Sequence, residues 1–264
     1  SIVYASTVTN ADRSAPESRL MIVDGDPRPL TAGLKDSSPS YSPDGKQIAF
    51  LRPGGNGDKK QVWSIPTAGG EAHQGTSLSN GVGAFSWAPG SDRLVLVSQV
   101  ESEATAVEGE GPRTQVVRRI RYRDDGEGWR GDAFSQLFVV DLDGGDAVQL
   151  TTGEGDHLAP VWSPEGARIA FITDALEGRD FSRYSEVRVI TLDGGQAAKW
   201  SDGMTRAGSV AWSHDGHQLV AAGSHDPDVW DPRQSWLYVL EPGHPARVVA
   251  GEDRAIVQPI PAGC

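Results

Sequence analysis

At 264 residues, with 38% hydrophobic residues and a further 32 glycines, the chain has the size and composition of one globular, all-β domain. Its 24 Lys and Arg against 36 Asp and Glu give a net charge of −12. A surface of that sign repels phosphate backbones and anionic lipid, so neither nucleic acid nor a membrane is an expected partner. The one cysteine, Cys264, excludes an internal disulfide.

The location of the protein is weakly indicated. Cysteine usage favours the reducing cytoplasm. No run approaches the ~18 apolar residues of a membrane span, and residues 1–19 lack a basic segment followed by an apolar one. Because the sequence begins at Ser1, a leader could have been removed. A periplasmic or secreted location therefore stays open.

A first hairpin pattern recurs along the chain. It consists of an aromatic residue, Ser or Ala, a turn, and an apolar run; Pro presets φ and Gly supplies the tight turn. We expect two strands from each copy, the second of them alternating as a half-buried strand does. The copies are YSPDGKQIAF at 41–50, WAPGSDRLVL at 87–96, WSPEGARIAF at 162–171 and WSHDGHQLVA at 212–221, of which the copy at 87–96 is irregular at the turn.

A second pattern alternates with the first. It is a strand, a Gly-rich turn and a shorter strand, and its copies lie at 19–31, 61–74, 136–151, 186–200 and 236–249. One copy of each pattern makes a four-stranded antiparallel sheet, the blade of a β-propeller. A β-sandwich also has short strands between turns, but the fixed order of two hairpin types favours the propeller.

The repeats predict about five of an expected seven blades. The blade-like units are about 1–33, 34–80, 81–155, 156–205 and 206–250, and an insertion occupies about 101–131. The first unit resembles the later part of a blade. Open strand edges pair with other chains, so we expect that the polypeptide continues beyond Cys264 or that another chain closes the ring.

These hairpins resemble the propeller of the acylaminoacyl-peptidase branch of the prolyl oligopeptidase family. The resemblance covers nearly the whole chain. The most discriminating segment is RIRYRDDGEGW at 119–129, followed by QLFV at 136–139, which is similar to an Arg-rich insertion of that branch. TolB-type propellers carry similar hairpins, and a protein-binding module of that type is the alternative function.

The resemblance implies a non-catalytic propeller that gates and selects short peptides for an α/β-hydrolase domain, supplied by a continuation of the chain or by a second chain. That catalytic domain is absent from this sequence. No Ser lies in the Gly-x-Ser-x-Gly elbow that such a nucleophile needs, and the nearest match, at 75–79, aligns with the end of an outer strand. We therefore expect no catalytic residue in this chain. The sequence leaves open whether the protein forms a homo-oligomer.

The insertion supplies the candidate substrate-binding residues. In an extended arm, alternation places Arg119, Arg121 and Arg123 on one face, where guanidinium groups can hold a peptide carbonyl or carboxylate, with Trp129 as an apolar neighbour. Propeller side chains of related enzymes anchor substrate, so the resemblance supports this hypothesis. The alternative is ion pairing within the protein, because Asp124 and other acids lie close in sequence.

Other clusters have structural explanations. The six histidines are interpreted as solvated turn residues, and the segment 225–231, with one His and three Asp, as a polar loop between blades, so we expect no metal and no cofactor. The tryptophans at 87, 162 and 212 recur at one repeat position and are expected in the core, as are Trp63 and Trp236.

Overall fold

The computed structural model describes residues 1–9, 16–54, 59–101, 120, 123–124, 128–129, 133–142, 145–193, 195–226 and 235–251. The described strands pair antiparallel in six sheets. The strands are β1 (Ile2–Thr9), β2 (Pro16–Val23), β3 (Arg28–Pro29), β4 (Ser37–Tyr41), β5 (Gln47–Pro53), β6 (Lys60–Pro66), β7 (His73–Gln74), β8 (Ala84–Trp87), β9 (Arg93–Glu101), β10 (Arg123–Asp124), β11 (Gly128–Trp129), β12 (Ala133–Asp141), β13 (Val148–Gln149), β14 (His157–Trp162), β15 (Arg168–Thr173), β16 (Glu186–Thr191), β17 (Ala198–Lys199), β18 (Arg206–Trp212), β19 (Leu219–Ser224), β20 (Trp236–Leu240) and β21 (Arg247–Ala250).

Five sheets follow one another along the chain. The first has the order β1-β2-β3, and the others have four strands each: β4-β5-β6-β7, β8-β9-β12-β13, β14-β15-β16-β17 and β18-β19-β20-β21. The predicted fold class, all-β with four-stranded antiparallel sheets in which the two hairpin patterns join, is confirmed. Each four-stranded sheet has both hairpin turns at one end, the turn end, and the link between its two middle strands at the other, the connection end.

In three of the described sheets a serine closes the first turn, namely Ser42, Ser163 or Ser213, whereas the irregular copy has Ala88 at that position. Ser42 N–H donates to the carbonyl of Gln47 (2.9 Å), and Gln47 N–H donates to Ser42 Oγ (3.0 Å). The turn needs a left-handed residue, which is Gly45 at φ 71°. In the irregular copy the same position is Ser91, at φ 63°.

The strand after the first turn is buried on both faces in β5, β9 and β15, which differs from the predicted half-buried alternation, whereas Val220 of β19 is exposed. In β5 the whole run Ile48, Ala49, Phe50 and Leu51 is at most 2% exposed. Ile48 and Phe50 pack in one core cluster with Leu20 of β2. Successive side chains of a strand point to opposite faces, so Ala49 and Leu51 are buried on the other side. A middle strand of a stacked sheet reads as a continuous apolar run for this reason.

In two of the sheets the recurring aromatic residue is hydrogen-bonded to the sheet before it. Trp87 Nε1–H donates to the carbonyl of Ser40 (3.2 Å), and Trp212 Nε1–H donates to the carbonyl of Val161 (3.1 Å). In both cases the acceptor immediately precedes the equivalent aromatic residue of the preceding sheet. The predicted core position of Trp87 and Trp162 is confirmed, since they are 8% and 7% exposed.

A hydroxyl at a repeat position closes the outer edge of the sheets. Thr76 Oγ1 donates to Gln61 Oε1 (2.8 Å) and accepts from Val62 N–H (2.9 Å). The corresponding acceptors in other sheets are Thr31, Thr151 and Ser201. The hydroxyl extends an outer strand of only two residues, and it explains why Thr or Ser recurs there. The segment 75–79 is thus an edge of the second sheet, as its alignment indicated.

The chain divides into two compact units, residues Ser1–Ser98 with Phe138–Val148, and Gln99–Leu137 with Gln149–Cys264. In the first, β1, β2 and β4 contact one another. In the second, the fourth and fifth sheets share a core cluster that includes Val187, Trp200 and Tyr238. Among the described residues, no helix could span a membrane.

Candidate functional site

The predicted arm, residues 101–131, is partly described. Its β10 and β11 form a two-stranded ribbon in which Arg123 pairs with Trp129 and Asp124 with Gly128. The ribbon lies in the link between β9 and β12, at the connection end of the third sheet. Arg119 and Arg121 lie outside the described residues. The structure therefore brings the backbones of Arg123 and Trp129 together, and substrate binding by these four residues stays a prediction.

The root of the arm is fixed by the connection end of the fourth sheet. β12 begins where the arm ends, and the guanidinium carbon of Arg179 lies 4.4 Å from the centre of the Phe134 ring. The next residue, Ser135, donates its N–H to Asp156 Oδ1 (2.9 Å). Two consecutive residues of β12 are thus held by a cation–π contact and a hydrogen bond.

Asp156 is itself held by a pair of hydrogen bonds to Asp174, which we call the joint. Asp156 N–H donates to Asp174 Oδ1 (2.8 Å), and Asp174 N–H donates to the Asp156 carbonyl (3.2 Å). A side chain at Gly155 would lie 2.6 Å from the Cα of Ala175, so glycine is required where the two segments pass. The joint sets the position of Asp156 and, through it, of the arm root.

The link from 174 to 185 exposes aromatic groups beside a half-buried cation. A single 3-10 turn spans Arg179–Phe181. Phe181 is 85% exposed and Tyr184 is 40% exposed, whereas the Arg179 side chain is 16% exposed. Arg179 Nη1 has no hydrogen-bond partner among the described residues, and its Nε lies 3.8 Å from Asp180 Oδ1. Arginine and aromatic side chains are enriched in the surfaces with which proteins bind other polypeptides.

His157, the first residue of β14, is buried in this region. It is 6% exposed, packs edge-on against Phe171 with ring centres 5.3 Å apart, and its Nδ1 has no hydrogen-bond partner among the described residues. Burial lowers the pKa of His157 from 6.5 to about 4, with the nearby Arg188 acting in the same direction and Asp156 opposing it. The interpretation of this histidine as a solvated turn residue is wrong.

We expect His157 to make the fold sensitive to acid. Between pH 6.5 and about 4 the unfolded chain binds a proton that the folded His157 does not, so stability is complete above pH 6.5 and falls below it. At pH 4 the loss is about 3 kcal/mol. The loss is measured by urea unfolding of wild type and His157→Leu, once at pH 4 and once above pH 6.5. The variant keeps every carboxylate and should lose about 3 kcal/mol less than wild type; equal losses would contradict the assignment.

The sequence did not identify Arg179, Phe181 or His225 as site residues. His225 was assigned to a loop between blades, but it directly follows β19, so it lies inside the fifth sheet, at its connection end. A usable signal was the spacing between paired strands: 12 residues, 174–185, separate β15 from β16. Long links in a repeat with short turns mark candidate binding segments.

The described residues hold no group of three or more His, Cys, Asp or Glu able to bind a metal ion. Asp226, the one described acid of the segment 225–231, donates its N–H to Ser224 Oγ (3.0 Å). What the described part of the connection end offers is therefore hydrogen-bond donors, a cation and aromatic rings. Groups of these kinds are chemically suited to contact a polar chain with apolar side groups.

Comparison with known proteins identifies this architecture. A protein of Bacillus subtilis (strain 168), described as the uncharacterized peptidase YuxL, is 32% identical over 189 residues, which are 68% of this chain and 29% of that protein. An acylaminoacyl peptidase solved with Z-Gly-Gly-Phe-chloromethyl ketone matches 94% of this chain and 37% of its own, with a TM-score of 0.70 and 19% identity. The chain is a β-propeller portion of the prolyl oligopeptidase family. This propeller thus spans about a third of the length of these relatives.

Two further structures bear on the fold of this propeller. The β-propeller domain of the Trilobed protease from Pyrococcus furiosus covers 97% of the chain and 69% of its own, with a TM-score of 0.61 and 15% identity. The match to TolB from Acinetobacter baumannii covers 94% of this chain and 53% of the TolB chain, with a TM-score of 0.58 and 14% identity. At such identities the likeness establishes the propeller fold alone. No family model matches the chain.

Proposed function

We propose that this propeller gates and selects short peptides for an α/β-hydrolase domain that lies outside the sequence, and that it does no chemistry itself. The observation that carries the proposal is the arm rooted in β12, at the connection end, by Arg179 and Asp156. In support, an acylaminoacyl peptidase of the same fold was solved with a peptide-like chloromethyl ketone. The arm and the link 174–185 would contact the peptide.

The sheets that carry the arm support the proposed gating role. Trp87 and Trp212 each bond a sheet to the sheet before it, and hydroxyls at a repeat position close outer strands within their own sheets. Selection on a rigid scaffold is carried by the loops it presents. The guanidinium groups of Arg119, Arg121 and Arg123 supply charge-assisted hydrogen bonds to peptide carbonyl or carboxylate oxygens, and Trp129 supplies apolar surface.

Arginine replacement tests the role of the arm. In the protein expressed from the complete reading frame, Arg119→Ala, Arg121→Ala and Arg123→Ala should each raise KM for acylated tripeptide nitroanilides about 10-fold or more, the effect of one charge-assisted hydrogen bond. Arg118→Ala removes the same charge from the other face of the extended arm and is the matched control. An unchanged KM in all three, or the same rise in the control, would contradict the proposal.

A second assay separates the peptidase propeller from the TolB-type binding module. The chain of 264 residues alone should hydrolyse no acyl-peptide, and the complete protein should cleave short peptides faster than a long unfolded polypeptide. Turnover by the isolated chain that a serine-directed phosphonate inhibits would refute a non-catalytic role. A complete protein without peptidase activity that instead captures a protein partner would favour the TolB-type function.

A further inference from the structure

An exposed histidine lies at the connection end of the fifth sheet, outside the arm. His225 follows β19, and its ring stands 4.9 Å from that of Trp236 at an interplanar angle of 41°. Its Nδ1 lies 2.7 Å from the hydroxyl oxygen of Tyr238. Tyr238 is 2% exposed and belongs to the core of the fourth and fifth sheets. The buried Tyr238 hydroxyl thus holds one nitrogen of an exposed ring, and the partly buried Trp236 ring lies beside it.

The direction of this hydrogen bond follows from the burial of the hydroxyl. Burial raises the pKa of Tyr238, so the hydroxyl keeps its hydrogen. A buried O–H needs an acceptor, and among the described residues the acceptor within hydrogen-bond distance of this hydroxyl is Nδ1, so the hydrogen points to Nδ1. Nδ1 is then an acceptor, and the neutral ring carries its hydrogen on Nε2.

We propose that His225 is a peptide-binding residue whose Nε2–H donates a hydrogen bond to a main-chain carbonyl of the short peptide. This inference rests on the proposed function and extends it to the fifth sheet. The donor is fixed before the peptide arrives, by the Tyr238 hydroxyl and by the Trp236 ring, so little side-chain freedom is lost on binding. A few such fixed polar groups within an apolar surround set the orientation of a ligand.

Two amide variants separate a binding role from packing. Glutamine places its N–H donor near the position of Nε2, whereas asparagine places its amide near Nδ1 and leaves the Nε2 position empty. In the protein from the complete reading frame, His225→Asn should raise KM for an acetylated tripeptide nitroanilide about 5-fold, the effect of one neutral hydrogen bond, with kcat little changed. His225→Gln should stay near wild type.

The controls make each outcome decisive. His217 lies in the first turn of the same sheet, at its opposite end, and His217→Asn should leave KM unchanged. Equal KM in wild type and both His225 variants would overturn the proposal. Equal loss in both variants would also overturn it, because it would show that the ring is needed for packing and not the Nε2 donor.

A measurement on the isolated chain is independent of peptidase activity. The nitrogen shifts of the His225 ring, recorded at about pH 8, report which nitrogen carries the hydrogen. We expect hydrogen on Nε2 in wild type and a mixture in Tyr238→Phe. Hydrogen on Nδ1 in wild type would refute the geometry even if the complete protein is an active peptidase. An inactive complete protein with hydrogen on Nε2 would refute the proposed function and leave the donor assignment standing.

Discussion

Replacing Asp36 with alanine is expected to cost about 3 kcal/mol or more of unfolding free energy. The Asp36 carboxylate is fully buried and accepts two hydrogen bonds from Arg52, at 2.6 and 2.9 Å, and one from the hydroxyl of Thr31. The Arg52 side chain is 20% exposed and lies over the rings of Phe50 and Trp63. The variant would leave that guanidinium in place without its carboxylate, and the midpoint of urea unfolding measures the loss.

The control for Asp36 is an ion pair in water. Asp24 pairs with Arg28 at 3.0 Å, but both side chains are about half exposed. Asp24→Ala should therefore change stability by about 0.5 kcal/mol or less. The double variant Asp36→Ala with Arg52→Met should lose less than the sum of its single changes, because no unpaired charge remains. Similar losses for Asp36→Ala and Asp24→Ala would contradict the account of the buried pair.

Gly223→Ala is expected to lower the unfolding free energy about as much as Asp36→Ala. The cause here is a steric clash with the backbone, and not the loss of an ion pair. A Cβ atom at this position in β19 would lie 2.0 Å from the carbonyl oxygen of Arg206 and 2.7 Å from the Cε of Met204. The carbonyl belongs to the paired strand β18, so relief requires that the strands of the fifth sheet separate. We expect a loss of about 3 kcal/mol or more, measured as the shift in urea midpoint.

Gly83→Ala is the matched control. It is the same chemical change, but its Cβ would come no closer than 3.8 Å to another atom, the carbonyl oxygen of Val97. Its stability should change by about 0.5 kcal/mol or less. If the two alanine variants unfold at the same denaturant concentration, the close approach of β18 and β19 at Gly223 is not as described.

The repeats predict the fold because each repeat contains the residues that close its own turn and its own outer strand. The serine, proline and glycine of the first hairpin close its turn, and the recurring Thr or Ser caps the outer strand, so both leave a signal at a fixed spacing. Burial of both faces of β5 shows in the sequence only as the unbroken apolar run 48–51. The burial of the second face depends on neighbouring sheets, which no window of sequence contains, and the predicted alternation was wrong for that reason.

The candidate site was less predictable than the fold. Charge and alternation identify the arm, but Arg179 over Phe134 joins residues that lie 45 apart in sequence. His225 and Tyr238 come together only because β19 and β20 pair in register, with Ala221 opposite Tyr238. Side chains that meet across sheets or strands follow from tertiary pairing, whereas the composition of a loop shows only that it is polar.

Hydrogen exchange with a bound peptide tests the central claim most directly. An acetylated tetra-alanine, added to the 264-residue chain at millimolar concentration, should slow amide exchange in connection-end segments, at residues 133–137, 174–186 and 223–226. Exchange should be unchanged in the turn-end segments 42–46, 163–167 and 213–217. Protection confined to the turn ends, or none anywhere, would contradict a peptide-selecting propeller that binds through the connection ends of its sheets.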